Sequence, residues 1–85
     1  MRILKAQLDA TLDAINTKAG FDPEKVEYNT VGAYTLSGAY GGWQLQKIVS
    51  DGGGVRSITS GYDNKKDIYY QMRAFLDGME EGKQL

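Results

Sequence analysis

Apolar residues in the first part of the chain recur at helical spacing. Leu4, Leu8, Leu12 and Ile15 lie four, four and three apart, and Ala6, Ala10 and Ala14 add helix propensity. This spacing predicts an amphipathic helix over residues 2–18. Gly20 follows where a left-handed residue ends a helix, and Asp22-Pro23 offers an N-cap and a proline at a first helical position, so one short helical turn is expected before Val26. From Val26 to Thr59 the pattern changes to period two, rich in Tyr, Thr, Val and Ile and broken by glycines. Strands are expected at about 33–40, 43–49 and 55–59. Gly41-Gly42 is expected to close the first hairpin, because a two-residue loop of primed type needs positive φ, and Asp51-Gly52-Gly53-Gly54 to turn the chain into the third strand. Residues 26–30 are a further candidate for an irregular edge strand. After Gly61-Tyr62, Asp63 or Asn64 can cap a second helix at about 64–81, with Ile68, Met72, Phe75, Leu76 and Met79 on one side and a frayed tail after Gly82. The predicted fold is α+β in αβββα order, one domain over 1–85, with both helices packed on one face of an antiparallel sheet. That sheet is three-stranded, or four-stranded if residues 26–30 join it.

A turn at Gly41-Gly42 sets Tyr40 opposite Trp43, Gly38 opposite Leu45, Leu36 opposite Lys47 and Tyr34 opposite Val49. Tyr34, Leu36, Tyr40, Trp43, Leu45 and Val49 then form the core face, and a slip by one residue would send them all to water. Tyr40 and Trp43 read as a cross-strand aromatic pair beside the hairpin tip, with Gly38 making room for a large neighbour. Rings so placed also suit the rim of an interface. The opposite face carries Ala33, Thr35, Ser37, Ala39, Gln44, Gln46 and Ile48. Thr35, Ser37, Gln44 and Gln46, with Arg56 beside them, are expected in solvent, either as plain wet surface or as a flat polar face able to dock a partner.

Composition narrows the chemistry. Ten basic and eleven acidic residues give a net charge of -1, which argues against binding driven mainly by phosphate neutralisation, although residues 33–66 hold four basic groups against two acidic ones. The chain has no cysteine and no histidine, which removes a disulfide framework, the common zinc sites and the Ser-His and Cys-His nucleophile systems. Asp9 with Asp13, and Asp77 with Glu80 and Glu81, read as solvated helix surface. The Asp51–Arg56 run lacks the Gly-Lys-Ser/Thr ending of a phosphate loop and joins two strands, and its one carboxylate is too few for calcium. No catalytic, cofactor or metal site is expected. Tyr69 is expected to pack, whereas Tyr70 points away beside Lys65, Lys66 and Arg73 as a basic and aromatic spot. No apolar run approaches the roughly 18 residues that cross a bilayer, so no membrane partner is expected and cytosolic residence is the default.

Tyr34-Thr35-Leu36, Ala39-Tyr40-Gly41-Gly42-Trp43-Gln44-Leu45, Gly53-Gly54-Val55, Asp67-Ile68-Tyr69 and Phe75-Leu76-Asp77-Gly78-Met79 together form a pattern. It resembles small proteins of bacteriophages, prophages and other mobile elements that carry a Tyr-Gly-Gly-aromatic hairpin. The resemblance implies a short accessory protein in the cytoplasm of a bacterial host, a class that includes inhibitors of host defence such as anti-CRISPR proteins. It carries over no site residue. The leading expectation is a non-enzymatic protein that binds a host protein as inhibitor or adaptor through Tyr40, Trp43, Gln44, Gln46 and Arg56. One alternative is a nucleic-acid accessory protein holding single strands through Lys47, Arg56, Lys65, Lys66 and Tyr70. The other is a homodimer or larger homo-oligomer paired through an exposed edge such as Val55–Thr59.

Overall fold

Residues 2–82 are described by a computed structural model. Helix α1 is Lys5–Lys18, starting later than the apolar spacing predicts because Leu4 is extended and its N–H donates to Gln7 Oε1 at 2.7 Å. Leu4 is consequently exposed, and Ile3 takes the core position instead. Asp22 Oδ1 accepts from the Glu24 N–H at 3.0 Å and starts a single 3₁₀ turn, Pro23–Lys25, as its residues predict. Residues 26–30 form no strand. Their polar groups are satisfied locally, the Glu27 N–H donating to Thr30 Oγ1 at 2.8 Å and the Thr30 N–H to the Glu27 carbonyl at 3.0 Å. The sheet is therefore three-stranded, in the order β1 (Tyr34–Ala39), β2 (Gly42–Ile48), β3 (Val55–Ser57), antiparallel throughout. Helix α2 is Lys65–Gly82, and Asn64 caps it by accepting from the Asp67 N–H at 2.8 Å. The frayed tail expected beyond Gly82 lies outside the described residues.

Both helices pack on one face of the sheet, against each other and against β1 and β2. Leu8 and Ile15 of α1, Ile68, Met72 and Leu76 of α2, and Tyr34 and Leu45 of the sheet make the core, closed at one end by Ile3. Burying each Leu or Ile there contributes about 1.5–3 kcal/mol. Phe75 meets Tyr34 edge-on at 5.3 Å between ring centroids.

The hairpin turns at Tyr40-Gly41, not at Gly41-Gly42, with φ of 53° and 73°. Gly38 therefore faces Trp43 and Leu36 faces Leu45, so the pairing is displaced by two residues from the predicted one. An even displacement preserves the faces, and Tyr34, Leu36, Trp43 and Leu45 remain on the helix-covered side. Tyr40 and Val49 are the corrections. The first sits in the turn at 94% exposure, and the second lies past the end of β2 and is exposed. Two glycines compete for the turn, and Gly42 is required in the strand: a Cβ there would stand 2.8 Å from the Tyr62 carbonyl carbon.

The second face is only partly in water. Ala33 and Ile48 are buried, and so is Gln44. Strand β3 ends at Ser57, short of residue 59, because the chain bulges there, with the Ile58 and Thr59 N–H groups both donating to the Leu45 carbonyl, and resumes a backbone bridge to β2 at Asp63, which exchanges hydrogen bonds with Trp43 at 2.8 and 2.9 Å. Within the bulge Thr59 Oγ1 accepts from the Leu45 N–H at 3.1 Å, and its carbonyl accepts from Gln44 Nε2 at 3.4 Å. The register also moves Arg56. It pairs with Lys47, on the helix side, while Ser57 pairs with Gln46 on the other face.

One polar side chain ties the helical layer to the sheet edge. Asn16 of α1 is buried, its Oδ1 accepting from the Tyr34 N–H at 2.7 Å and its Nδ2 donating to the Tyr34 carbonyl at 3.0 Å. Asn16→Ala leaves both backbone groups without a partner, and urea unfolding is expected to give a loss of about 2–4 kcal/mol at unchanged m-value.

Candidate functional site

Three elements converge at the hairpin tip. The Trp43–Asp63 bridge brings the start of α2 to the Trp43 end of β2, and Lys5 at the start of α1 holds its Nζ 5.0 Å from the Trp43 ring centroid. The indole lies on Gly38, where a Cβ would stand 2.7 Å from Cζ3 of the ring. Between these elements is an open groove of about 590 Å3, lined by Gly38, Ala39, Gly41, Trp43, Asn64 and Lys65 among others. Tyr40, in the turn between Ala39 and Gly41, meets Tyr62 edge-on at 5.5 Å, and the Tyr62 hydroxyl lies 3.4 Å from Ser37 Oγ on the second face of the sheet.

The groove offers backbone, an indole, a carboxamide and an ammonium group. These can stack and hydrogen-bond, but they contain no nucleophile with a base beside it. Nearby carboxylates have partners: Asp9 Oδ1 pairs with Lys5 Nζ at 2.7 Å, and Asp63 Oδ2 accepts from Gln71 Nε2 at 2.8 Å. Among the described residues no group of carboxylates is placed to hold a metal ion. A smaller hollow of about 260 Å3 lies between the helices, with Thr11, Tyr69 and Arg73 in its wall.

The five residues expected to contact a protein do not share one surface. Tyr40 in the turn and Trp43 in β2 both lie at the tip end, but Gln44 is buried, with its Oε1 accepting from Gln46 Nε2 at 2.7 Å. Gln46 is half-buried on the second face, and Arg56 is exposed opposite Lys47, roughly 13 Å along β2 from Trp43 at about 3.3 Å per residue. The expected nucleic-acid set divides in the same way. Lys47 and Arg56 form a cross-strand pair at the far end, with Lys47 Nζ 5.7 Å from the Tyr34 ring centroid. Lys65 and Lys66 stand at the tip end, and Tyr70 is exposed on α2 beside Tyr69, their ring centroids 5.7 Å apart. Lys5 was not among the sequence candidates for the site. Its proximity to Trp43 follows from the parallel placement of the two helices, which no local pattern encodes.

Comparison with protein-family models, with curated proteins and with solved structures finds no match for this chain. The groove must be read from its own geometry. Gly38→Ala drives a methyl group into the indole and is expected to cost about 1–3 kcal/mol in a denaturant titration. Most of that cost should vanish when Trp43 is replaced by Leu in the same chain, a coupling that a double-mutant cycle measures directly.

Proposed function

We propose that this chain is a non-enzymatic protein-binding domain that engages its partner with the hairpin tip and the groove beside it. The observation that carries the reading is Tyr40, which has φ 53° and is 94% exposed. A non-glycine residue in the left-handed region costs on the order of 1 kcal/mol, and Asn or Gly would fill the first turn position more cheaply. Tyr40 returns almost no burial for that strain. An exposed aromatic ring held at a strained turn is the kind of group that anchors an interface, since tyrosine offers a large apolar body and a hydroxyl at little entropic cost. The half-buried Trp43 ring supplies a second aromatic surface at the same end of the hairpin, in the groove.

The resemblance to mobile-element proteins suggests the partner's origin: a protein of the bacterial host, met in its cytoplasm and blocked or recruited by this accessory domain. Among the described residues no helix is long and apolar enough to cross a membrane, which accords with a protein partner rather than a bilayer. The nucleic-acid alternative draws less support, because its basic residues lie at opposite ends of β2.

Tyr40→Asn is the discriminating variant. It relieves the turn strain, so thermal unfolding is expected to show equal or higher stability, by up to about 1 kcal/mol. Capture of partner proteins from nuclease-treated bacterial lysate should fall at least several-fold relative to the unaltered chain. Undiminished capture of every partner by the folded variant would refute the tip as the binding surface, and partners released by nuclease would favour the nucleic-acid reading.

A further inference from the structure

We infer that the outer edge of β1, at Leu36 and Gly38, accepts an extended segment of the partner as an added strand. This deepens the protein-binding reading and rests on it.

Residues along an antiparallel edge strand alternate between those whose N–H and C=O pair inward and those whose groups point outward. Ala33 accepts from the Ile48 N–H across the hairpin at 2.8 Å, whereas both Tyr34 groups are taken from outside by Asn16. Tyr34, Leu36 and Gly38 are therefore the outward set. Among the described residues no partner occupies the outward N–H of Leu36 or Gly38, and Gly38 is exposed although an indole covers one of its faces. The edge carries Leu36-Ser37-Gly38-Ala39, with no lysine, proline or bulge to block pairing.

The chemistry of these groups names the occupant. Alternating donors and acceptors at strand spacing are matched by another extended backbone, and Asn16 already pairs with the neighbouring position through a carboxamide, the side-chain counterpart of a peptide group. Asn16 holds both Tyr34 groups, so any added strand, a second copy paired about Ser37 included, bonds to Leu36 and Gly38 alone. Gly38 also lines the Trp43 groove, which makes this edge continuous with the surface proposed to bind the partner, and the occupant is therefore a peptide segment of that partner. It needs a short extended stretch free of proline where it donates to the edge, and its residue beside Gly38 would lie next to the Trp43 groove.

Gly38→sarcosine, made by chemical synthesis, removes the outward N–H without adding a Cβ. The probe is the tightest heptapeptide selected from a displayed random library on the immobilised unaltered chain. Its binding is expected to slow amide hydrogen exchange at Leu36 and Gly38 at least tenfold, with the inward-bonded Ser37 amide as internal reference. Gly38→sarcosine should weaken the peptide by roughly tenfold or more, the effect of one lost backbone hydrogen bond, with the thermal midpoint unchanged. Failure to select any peptide, binding without protection at these amides, or undiminished affinity for the sarcosine chain would overturn the inference. So would protection that rises with protein concentration alongside a dimer in sedimentation, which would assign the edge to a second copy. If Tyr40→Asn abolishes partner capture while the partner leaves Leu36 and Gly38 unprotected, the tip reading stands and the edge inference falls. The reverse pattern retains the edge and removes the tip.

Discussion

Trp43 lies flat on Gly38, and the arrangement of the sheet follows from that contact. The ring occupies the space a side chain at position 38 would need, so the register that brings them opposite is the one that gives the large residue a place on the packed face. The same register puts Leu36 against Leu45, leaves Tyr40 and Gly41 to make the turn, and sets Gly42 where the Tyr62–Asp63 backbone can cross it closely. Lys5 and the start of α2 then reach the exposed side of the indole, and the groove exists because neither helix extends over the tip.

Element types and faces were legible in the residues because they depend on periodicity. The α2 stripe of Ile68, Met72 and Leu76 is buried as its spacing predicts, and the two-residue displacement of the hairpin preserved the faces since the strand period is two. What the pattern could not carry were contacts between segments distant in sequence. Local grounds favour a turn at Gly41-Gly42, and only the return of the chain at Tyr62 makes Gly42 indispensable to the strand and leaves the turn to Tyr40-Gly41. Gln44 reads as solvent-facing from alternation alone, and it is buried because the bulge at Ile58–Tyr62 closes against it. Asn16 gave a weak signal, a polar residue beside the apolar stripe, but its partner stands eighteen positions further on. The candidate site was legible as a hairpin tip with two aromatic residues. Its division from Arg56 and Gln46 was not, because the side on which β3 presents Arg56 depends on the register.

The two ends of the molecule differ in character. At the Tyr34 end, Asn16 seals the sheet edge and the loop after α1 closes over it, the Phe21 N–H donating to the Asn16 carbonyl at 2.9 Å. At the other end the backbone of the hairpin is glycine-rich, the outward N–H groups of Leu36 and Gly38 have no partner among the described residues, and a tyrosine is held out in a strained turn. The stable end fixes the geometry of the open one, and a rigid scaffold that presents an adaptable loop is a common basis for recognition.

The most direct measurement is a solution NMR spectrum of the hairpin. The account predicts Gly38 Hα resonances displaced well upfield by the indole ring current, with cross-strand contacts between Gly38 and Trp43 and between Ala39 and Gly42. Gly38 resonances at ordinary positions, together with contacts between Tyr40 and Trp43, would place the turn at Gly41-Gly42 and contradict it.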